Sequence, residues 1–217
     1  MLRIKLEKIE KSLLTILCLG AHSDDIEIGC GGSILRFVDQ YPEAKVHWVV
    51  LSASKHREGE AQASAELFLE KAKRKEIVVK GFRDSFFPYI GGDIKRYFEE
   101  MKKSISPDII FSHYRHDLHQ DHRLISELTW NTFRNHLILE YEIIKYDGDL
   151  GSPNIFVHLN AEACLKKIEY IMRAFKSQGD RSWFTEDAFM SIMRIRGIES
   201  NSPHKFAEGF YCKKIVL

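Results

Sequence analysis

Short apolar runs separated by helix-spaced segments recur along this chain, and few folds accommodate that rhythm. Residues 13–19 (LLTILCL) are continuous, apolar and closed by Gly20, as a strand buried on both faces requires. Residues 28–40 follow with a glycine-rich start (Gly29, Gly31, Gly32) and an apolar helical face of Ile34, Leu35, Phe37 and Val38, and Tyr41-Pro42 ends them. A second strand is expected over 46–51, a helix over 58–75 and a short third strand over 77–79. A helix over 93–104 precedes a fourth strand over 108–112, and another helix runs from 120 to 134. Strands alternating with helices of this length imply right-handed βαβ units and an α/β fold with a mostly parallel sheet flanked by helices.

The rhythm changes after Leu139. Residues 141–146 and 155–159 read as strands joined by a loop containing Gly148, Gly151 and Pro153, with no helix between them. Helices are expected over 162–176 and 183–194, and a closing strand over 210–216. These elements form a smaller, mixed C-terminal portion. No internal repeat or low-complexity linker divides the 217 residues, and that length suits one domain over 1–217.

Charge and cysteine usage narrow the function classes. With 32 basic and 31 acidic residues the formal net charge is +1, so the chain has no broad field to hold nucleic acid or anionic lipid. The local run Lys71-Ala72-Lys73-Arg74-Lys75 reads as the solvated face of a helix. Cys18, Cys30, Cys164 and Cys212 form no C-x-x-C pair and read as free, mostly buried thiols in a reducing compartment. Residues 1–11 are partly basic and 12–21 mostly apolar, the layout of a secretory signal. Glu7 and Glu10 interrupt the basic part, and no small-x-small cleavage site follows. The apolar run is also far short of the ~18 residues a membrane span needs. A cytoplasmic protein without a membrane span is expected.

Two segments concentrate ligand-type side chains, and each directly follows an apolar run. The first is Ala21-His22-Ser23-Asp24-Asp25, the second His116-Asp117-Leu118-His119-Gln120-Asp121-His122. Both fall at carboxyl ends of expected parallel strands, so they can meet over one edge of the sheet. Imidazole and carboxylate are ready zinc ligands, and a catalytic site needs three of them plus an open position. Adjacent aspartates point in different directions, so one can bind an ion while the other serves as general base. Simple capping of the next helix would account for one aspartate but not for His22. His119 and His122 stand one helical turn apart on one face, and Asp121 can orient a neighbouring imidazole.

The first segment resembles the A-H-P-D-D-E signature of the PIG-L/LmbE-like zinc-dependent de-N-acetylases. Asp117-x-His119-x-Asp121-His122 resembles that family's D-x-H-x-D-H signature after the fourth strand. Weaker matches extend the likeness along most of the chain: Arg57-x-x-Glu60, Ser177-Gln178 and Ala207-Glu208. The resemblance implies a Rossmann-like fold. It further implies Zn2+ held by His22, Asp25 and His122, with Asp24 as base and His119 as the oxyanion-stabilising or acidic imidazole. Asp117 and Asp121 would support the ligands, and Fe2+ or another divalent ion could replace zinc. Ser23 stands where the family has proline, and Ile26 where it has glutamate, with Glu27 one place later. The implied reaction is metal-assisted hydrolysis of an N-acetylamino sugar or glycoconjugate. Arg57, Asp84, Arg196 and Glu208 are candidate substrate contacts, and homo-oligomerisation is compatible with the sequence.

Three other readings compete. Ile26-Glu27-Ile28-Gly29-Cys30-Gly31-Gly32 looks like the glycine loop of an S-adenosylmethionine-dependent methyltransferase, although no acid follows the second strand to hold a ribose. A non-catalytic sugar-binding protein would share the scaffold. So would a hydrolase of another amide or thiol conjugate.

Overall fold

The computed structural model describes residues 13–216. The basic segment over 1–11 lies outside them. The elements run β1 (Thr15–Gly20), α1 (Asp25–Gln40), β2 (Lys45–Val50), α2 (Lys55–Phe68), β3 (Arg74–Val79), α3 (Gly91–Ser104) and β4 (Ile109–His113). They continue α4 (Gln120–Thr132), β5 (Leu137–Tyr141), β6 (Ile155–Leu159), α5 (Ala161–Ala174), α6 (Glu186–Glu199) and β7 (Phe206–Tyr211).

The seven strands form one sheet in the order β3-β2-β1-β4-β5-β7-β6. The first five are parallel, while β7 pairs antiparallel with both β5 and β6. This is the expected α/β architecture, with its mixed portion at the C-terminal edge. Side-chain alternation splits the core into two layers. Ile16, Cys18, Val46, Trp48, Ile109 and Phe111 face a layer with α1, α2, α5 and α6. Leu17, Leu19, Val49, Leu51 and Ile110 face the layer with α3 and α4. Each internal strand is therefore apolar on both faces, which is why 13–19 reads as an unbroken run.

Side-chain caps open α2, α5 and α6. Ser54 Oγ accepts the Arg57 N–H (3.4 Å), Asn160 Oδ1 accepts Ala163 N–H (2.8 Å) and Thr185 Oγ1 accepts Ala188 N–H (3.2 Å). The last cap starts α6 at Glu186, three residues after the expected start at Trp183.

Several boundaries differ from expectation, each for a physical reason. The helix expected over 58–75 ends at Phe68, and Arg74 already pairs with Lys45 in the sheet. The basic run is thus a turn entering β3, where Lys71 pairs with Asp39 and Lys75 with Glu66. The strand expected over 141–146 is instead Leu137–Tyr141. It stops where the Glu142 carboxylate turns into a buried ion pair with Arg196, Nε to Oε1 at 2.6 Å. The closing strand is Phe206–Tyr211, and its Ala207 and Gly209 dilute the apolar signal that favoured 210–216.

A buried pair braces the middle of α1. Lys167 Nζ donates to the Ile28 carbonyl and to Glu208 Oε1, both at 2.7 Å. Glu208 in turn accepts the N–H groups of Gly32 (2.8 Å) and Ser33 (2.6 Å). Gly29 meets the ring of Tyr141 so closely that a Cβ would collide with it. The glycines of α1 serve helix packing, and none of them forms an open loop for a methyltransferase cofactor.

Candidate metal centre and active site

The chain leaves β1 toward β2 and β3, then returns across β1 to β4. Loops that follow β1 and β4 therefore part in opposite directions, which opens a crevice at their carboxyl ends. His22, Asp24 and Asp25 enter it after β1, His113 at the end of β4, and Asp117, His119, Asp121 and His122 after β4. The two ligand-rich segments meet at this switch point.

Three donor groups converge. His22 Nδ1 lies 3.2 Å from His122 Nε2 and 3.4 Å from Asp25 Oδ2, and His122 Nε2 lies 3.5 Å from Asp25 Oδ1. Asp25 meets the two imidazoles through different oxygens, and the sets around His122 that bring one donor atom from each of three residues within 4.8 Å are His22, His119 and His122 on one side and Asp25, His113 and His122 on the other. Such a cluster of imidazoles and a carboxylate fits a divalent ion.

The outer nitrogens of both histidines are held by carboxylates. Asp117 Oδ2 sits 2.9 Å from His122 Nδ1, and Asp121 Oδ2 sits 3.2 Å from His22 Nε2. Each carboxylate orients its imidazole so that the other nitrogen faces Asp25. Both aspartates are themselves secured. Asp117 Oδ1 accepts His119 N–H at 2.8 Å and meets Lys145 Nζ at 3.1 Å. Asp121 accepts the N–H groups of Ser85 (2.7 Å) and Phe87 (3.1 Å).

Asp24 occupies the N-cap position of α1, yet its side chain makes no capping hydrogen bond. It is 6% exposed and pairs with Arg57 Nη2 at 3.0 Å. Arg57 Nε lies 4.0 Å from Glu60, which accepts the Ser177 N–H (3.0 Å) and hydroxyl (2.6 Å). Two of the weaker family-like segments thus form a chain ending on Asp24. Burial raises the Asp24 carboxyl above its ordinary range, with Arg57 opposing. Burial works the same way on Asp25, but His122, His113 and His22 outweigh it and hold that carboxyl well below the ordinary range. Burial opposes charge on His22 as well, but Asp25, Asp121 and Asp84 keep its pKa well above the usual value.

His119 caps α4, its Nδ1 accepting the Asp121 N–H at 3.3 Å. In a neutral ring this pattern assigns the proton to Nε2, where it is free to donate. Burial, then the neighbouring His22 charge, lowers the His119 pKa and favours that neutral form. Burial, reinforced by His113, lowers the His122 pKa to about 4.

His113 and Tyr141 escaped the sequence reading. His113 is fully buried at the end of β4, stacked on His122 at 4.0 Å, with Nε2 3.2 Å from Asp25 Oδ2. The same Nε2 lies 2.9 Å from the Ala21 N–H donor and 3.2 Å from the Tyr141 hydroxyl. Its available signal was position, since a histidine closing an apolar strand is where His22 also stands.

The four candidate substrate contacts separate. Arg57 and Asp84 reach the crevice, and Asp84 Oδ1 lies 3.1 Å from His22 Nε2 while its side chain stays 65% exposed. That hydrogen bond with His22 lowers the Asp84 carboxyl to about 2. Arg196 and Glu208 are each 4% exposed and committed elsewhere. Arg196 binds Glu142, Glu199 and the Gly151 carbonyl, and Glu208 binds Lys167 and the α1 backbone. Neither presents a group to a ligand, because charges this deeply buried persist only when paired internally. His116 is exposed and packs its ring on Tyr114. A cavity of about 740 Å³ between α1, β6 and α5 contains none of these residues, and its Lys71 and Lys166 are ion-paired with Asp39 and Glu70.

A family model described as PIG-L, GlcNAc-PI de-N-acetylase, matches residues 17–133, over half the chain and both ligand-rich segments. Among solved structures, the chain is similar to N,N'-diacetylchitobiose deacetylase from Pyrococcus horikoshii, with 22% identity and a TM-score of 0.68. That match covers 94% of this chain and 85% of the other. It is also similar to the 4-carboxy-2-hydroxymuconate hydratase GalB from Pseudomonas putida KT2440, at 16% identity and a TM-score of 0.75 over 94% and 98% of the two chains. A zinc-inhibited form of teicoplanin deacetylase matches at 13% identity and 0.66 over 91% and 95%. At these identities the likeness concerns the fold. Among the described residues no helix is long and apolar enough to cross a membrane.

Proposed function

The chain belongs to the PIG-L family, and from that premise we propose that it is a metal-dependent hydrolase removing the N-acetyl group from an N-acetylamino sugar or sugar conjugate. The observation that carries the reading is the convergence of His22 Nδ1, His122 Nε2 and Asp25 at 3.2–3.5 Å, with both outer imidazole nitrogens held by buried carboxylates. Zinc held by His22, Asp25 and His122 would supply Lewis-acid polarisation and a water acidified toward a pKa of about 7, and Fe2+ suits the same donors.

This chain's own groups divide the remaining work. Asp24, unpaired with any helix amide, accepts a proton from the attacking water and returns it to the departing nitrogen. Arg57 opposes the burial that favours the protonated form of that carboxyl, and it aims the group. His119 donates from Nε2 to the acetyl oxygen as negative charge develops there, a role worth about 3 kcal/mol in comparable oxyanion sites. Free amine and acetate leave. Its four cysteines are free thiols, which suits a cytoplasmic protein, and the partner is a small molecule handled by one domain.

The test is a screen of N-acetylamino sugars for amine release, with and without chelator. Activity is expected to vanish with chelator and return with added zinc or iron. Asp24→Asn should retain metal and lose turnover, whereas His122→Ala should lose both. Full activity in Asp24→Asn, or chelator-insensitive turnover, would overturn the reading.

A further inference from the structure

His113 shares a possible ion-binding set with Asp25 and His122, yet it lies outside the ligands of the de-N-acetylase reading. Its two ring nitrogens differ. Nε2 accepts the Ala21 N–H at 2.9 Å and has Asp25 Oδ2 and the Tyr141 hydroxyl each at 3.2 Å. Nδ1 is buried and makes no hydrogen bond among the described residues.

The surroundings decide what Nε2 can do. A neutral imidazole nitrogen that accepts an N–H has a lone pair and no proton, which assigns the ring proton to Nδ1. That nitrogen has one lone pair, and the Ala21 amide takes it. Ala21 is fully buried, and a buried amide left without its acceptor is costly. A ligand must aim its lone pair at the ion, so His113 could bind one only by releasing Ala21. Asp25 Oδ2 has a donor of its own in the His22 N–H at 2.6 Å.

The Ala21 bond lies where the backbone gives no support. β1 pairs with β4 over residues 16–18 against 109–111, short of both ligand segments. Beyond that ladder, side chains join the strands. His113 at the end of β4 holds the amide one residue before His22, and its ring stacks on His122 at 4.0 Å and 20°. Tyr141 at the end of β5 packs on the His113 ring at 4.8 Å, and its hydroxyl donates to the Leu19 carbonyl at 2.6 Å. Gly29 leaves the space that the Tyr141 ring fills.

Resting on the de-N-acetylase reading, we propose that His113 is a positioning residue and not a metal ligand. By accepting the Ala21 N–H and stacking on His122, it sets the separation of His22 and His122 and thereby the affinity of the metal centre. Tyr141 completes this clamp across the crevice.

The experiment titrates Zn2+ against a chromophoric chelator in the wild type, His113→Leu and His113→Gln, and records the visible spectrum of each with Co2+. Circular dichroism reports the fold. Gln offers a carbonyl oxygen to Ala21 but no imidazole nitrogen to an ion. His113→Leu should weaken zinc binding about 10–100-fold, the range for residues that orient ligands. His113→Gln should stay within roughly threefold of the wild type, with Co2+ bands at unchanged wavelengths, because the donor set is the same. Wild-type affinity in a folded His113→Leu overturns the proposal. So does a loss in His113→Gln as large as in His113→Leu, which would leave packing alone. A tenfold loss with shifted Co2+ bands in His113→Gln overturns it by making His113 a ligand, and this arm decides even if His113→Leu does not fold. A wild type that binds zinc but releases no amine from any N-acetylamino sugar sinks the de-N-acetylase reading and leaves the clamp standing.

Discussion

Arg57 Nη2 lies 3.0 Å from Asp24 Oδ2, so the candidate base is held by a residue from the second helix of the chain. Glu60 and Ser177 stand behind Arg57. Arg57→Ala should lower kcat/KM by roughly 10–100-fold with bound metal retained, the range typical when an orienting partner is removed. Arg57→Lys should recover part of the loss. Wild-type kinetics in Arg57→Ala would detach Arg57 from the base.

Asp117 and Asp121 fix which nitrogen each imidazole presents. Asp117→Asn and Asp121→Asn should each weaken metal affinity by about 10–100-fold. Competition against a chromophoric chelator measures this directly, and circular dichroism reports whether the fold survives. Unchanged affinity would mean the histidines are oriented by packing alone.

The Lys167–Glu208 pair is buried and shared with the α1 backbone. Lys167→Met leaves a buried carboxylate without its counter-ion and should cost about 3–5 kcal/mol in urea unfolding. The double variant Lys167→Met/Glu208→Gln should cost less than the sum of the singles. Strict additivity would contradict the coupling.

Gly29 and Gly59 offer an internal contrast within helices. An Ala at 29 drives its methyl into the Tyr141 ring and should destabilise by about 1–3 kcal/mol. At Gly59 nothing lies within 4 Å, and Ala should stabilise by roughly 0.5–1 kcal/mol. Thermal midpoints moving in the same direction would refute the packing argument.

His47, on β2 and 3% exposed, has its pKa lowered by burial and then by Lys45. The unfolded chain therefore binds this proton more readily than the folded one. Its contribution to stability is present above about pH 6.5 and is lost as pH falls toward the lowered folded value. His47→Gln should flatten that part of the wild-type curve of urea midpoint against pH. Identical slopes below pH 6.5 would exclude His47 as a source.

Much of this arrangement was legible along the chain, and the misses have physical causes. β1, β2 and β4 announced themselves because strands buried on both faces are apolar throughout. Elements at the mixed edge were displaced, as with β5 and β7, where Glu142 and Gly209 interrupt the pattern for tertiary reasons. Arg196 and Glu208 resemble substrate-binding charges in one dimension, yet both neutralise partners inside the fold. His113 passed unnoticed because one histidine at a strand end carries no spacing signal.

Local spacing alone settled that His22 and Asp25, and His119 and His122, would share a neighbourhood within each segment, since three or four residues at a helix start span a single turn. Packing of β1 beside β4 decided that the two segments would meet and brought Asp121 to His22, while packing of β2 and β3 on the other side of β1 brought Arg57 to Asp24 and the Ser85 loop to Asp121. Those relationships join residues tens of positions apart, so no local pattern encodes them. They exist because the hydrophobic layers on both faces of the sheet force the strands into one order, and the crevice follows from that order.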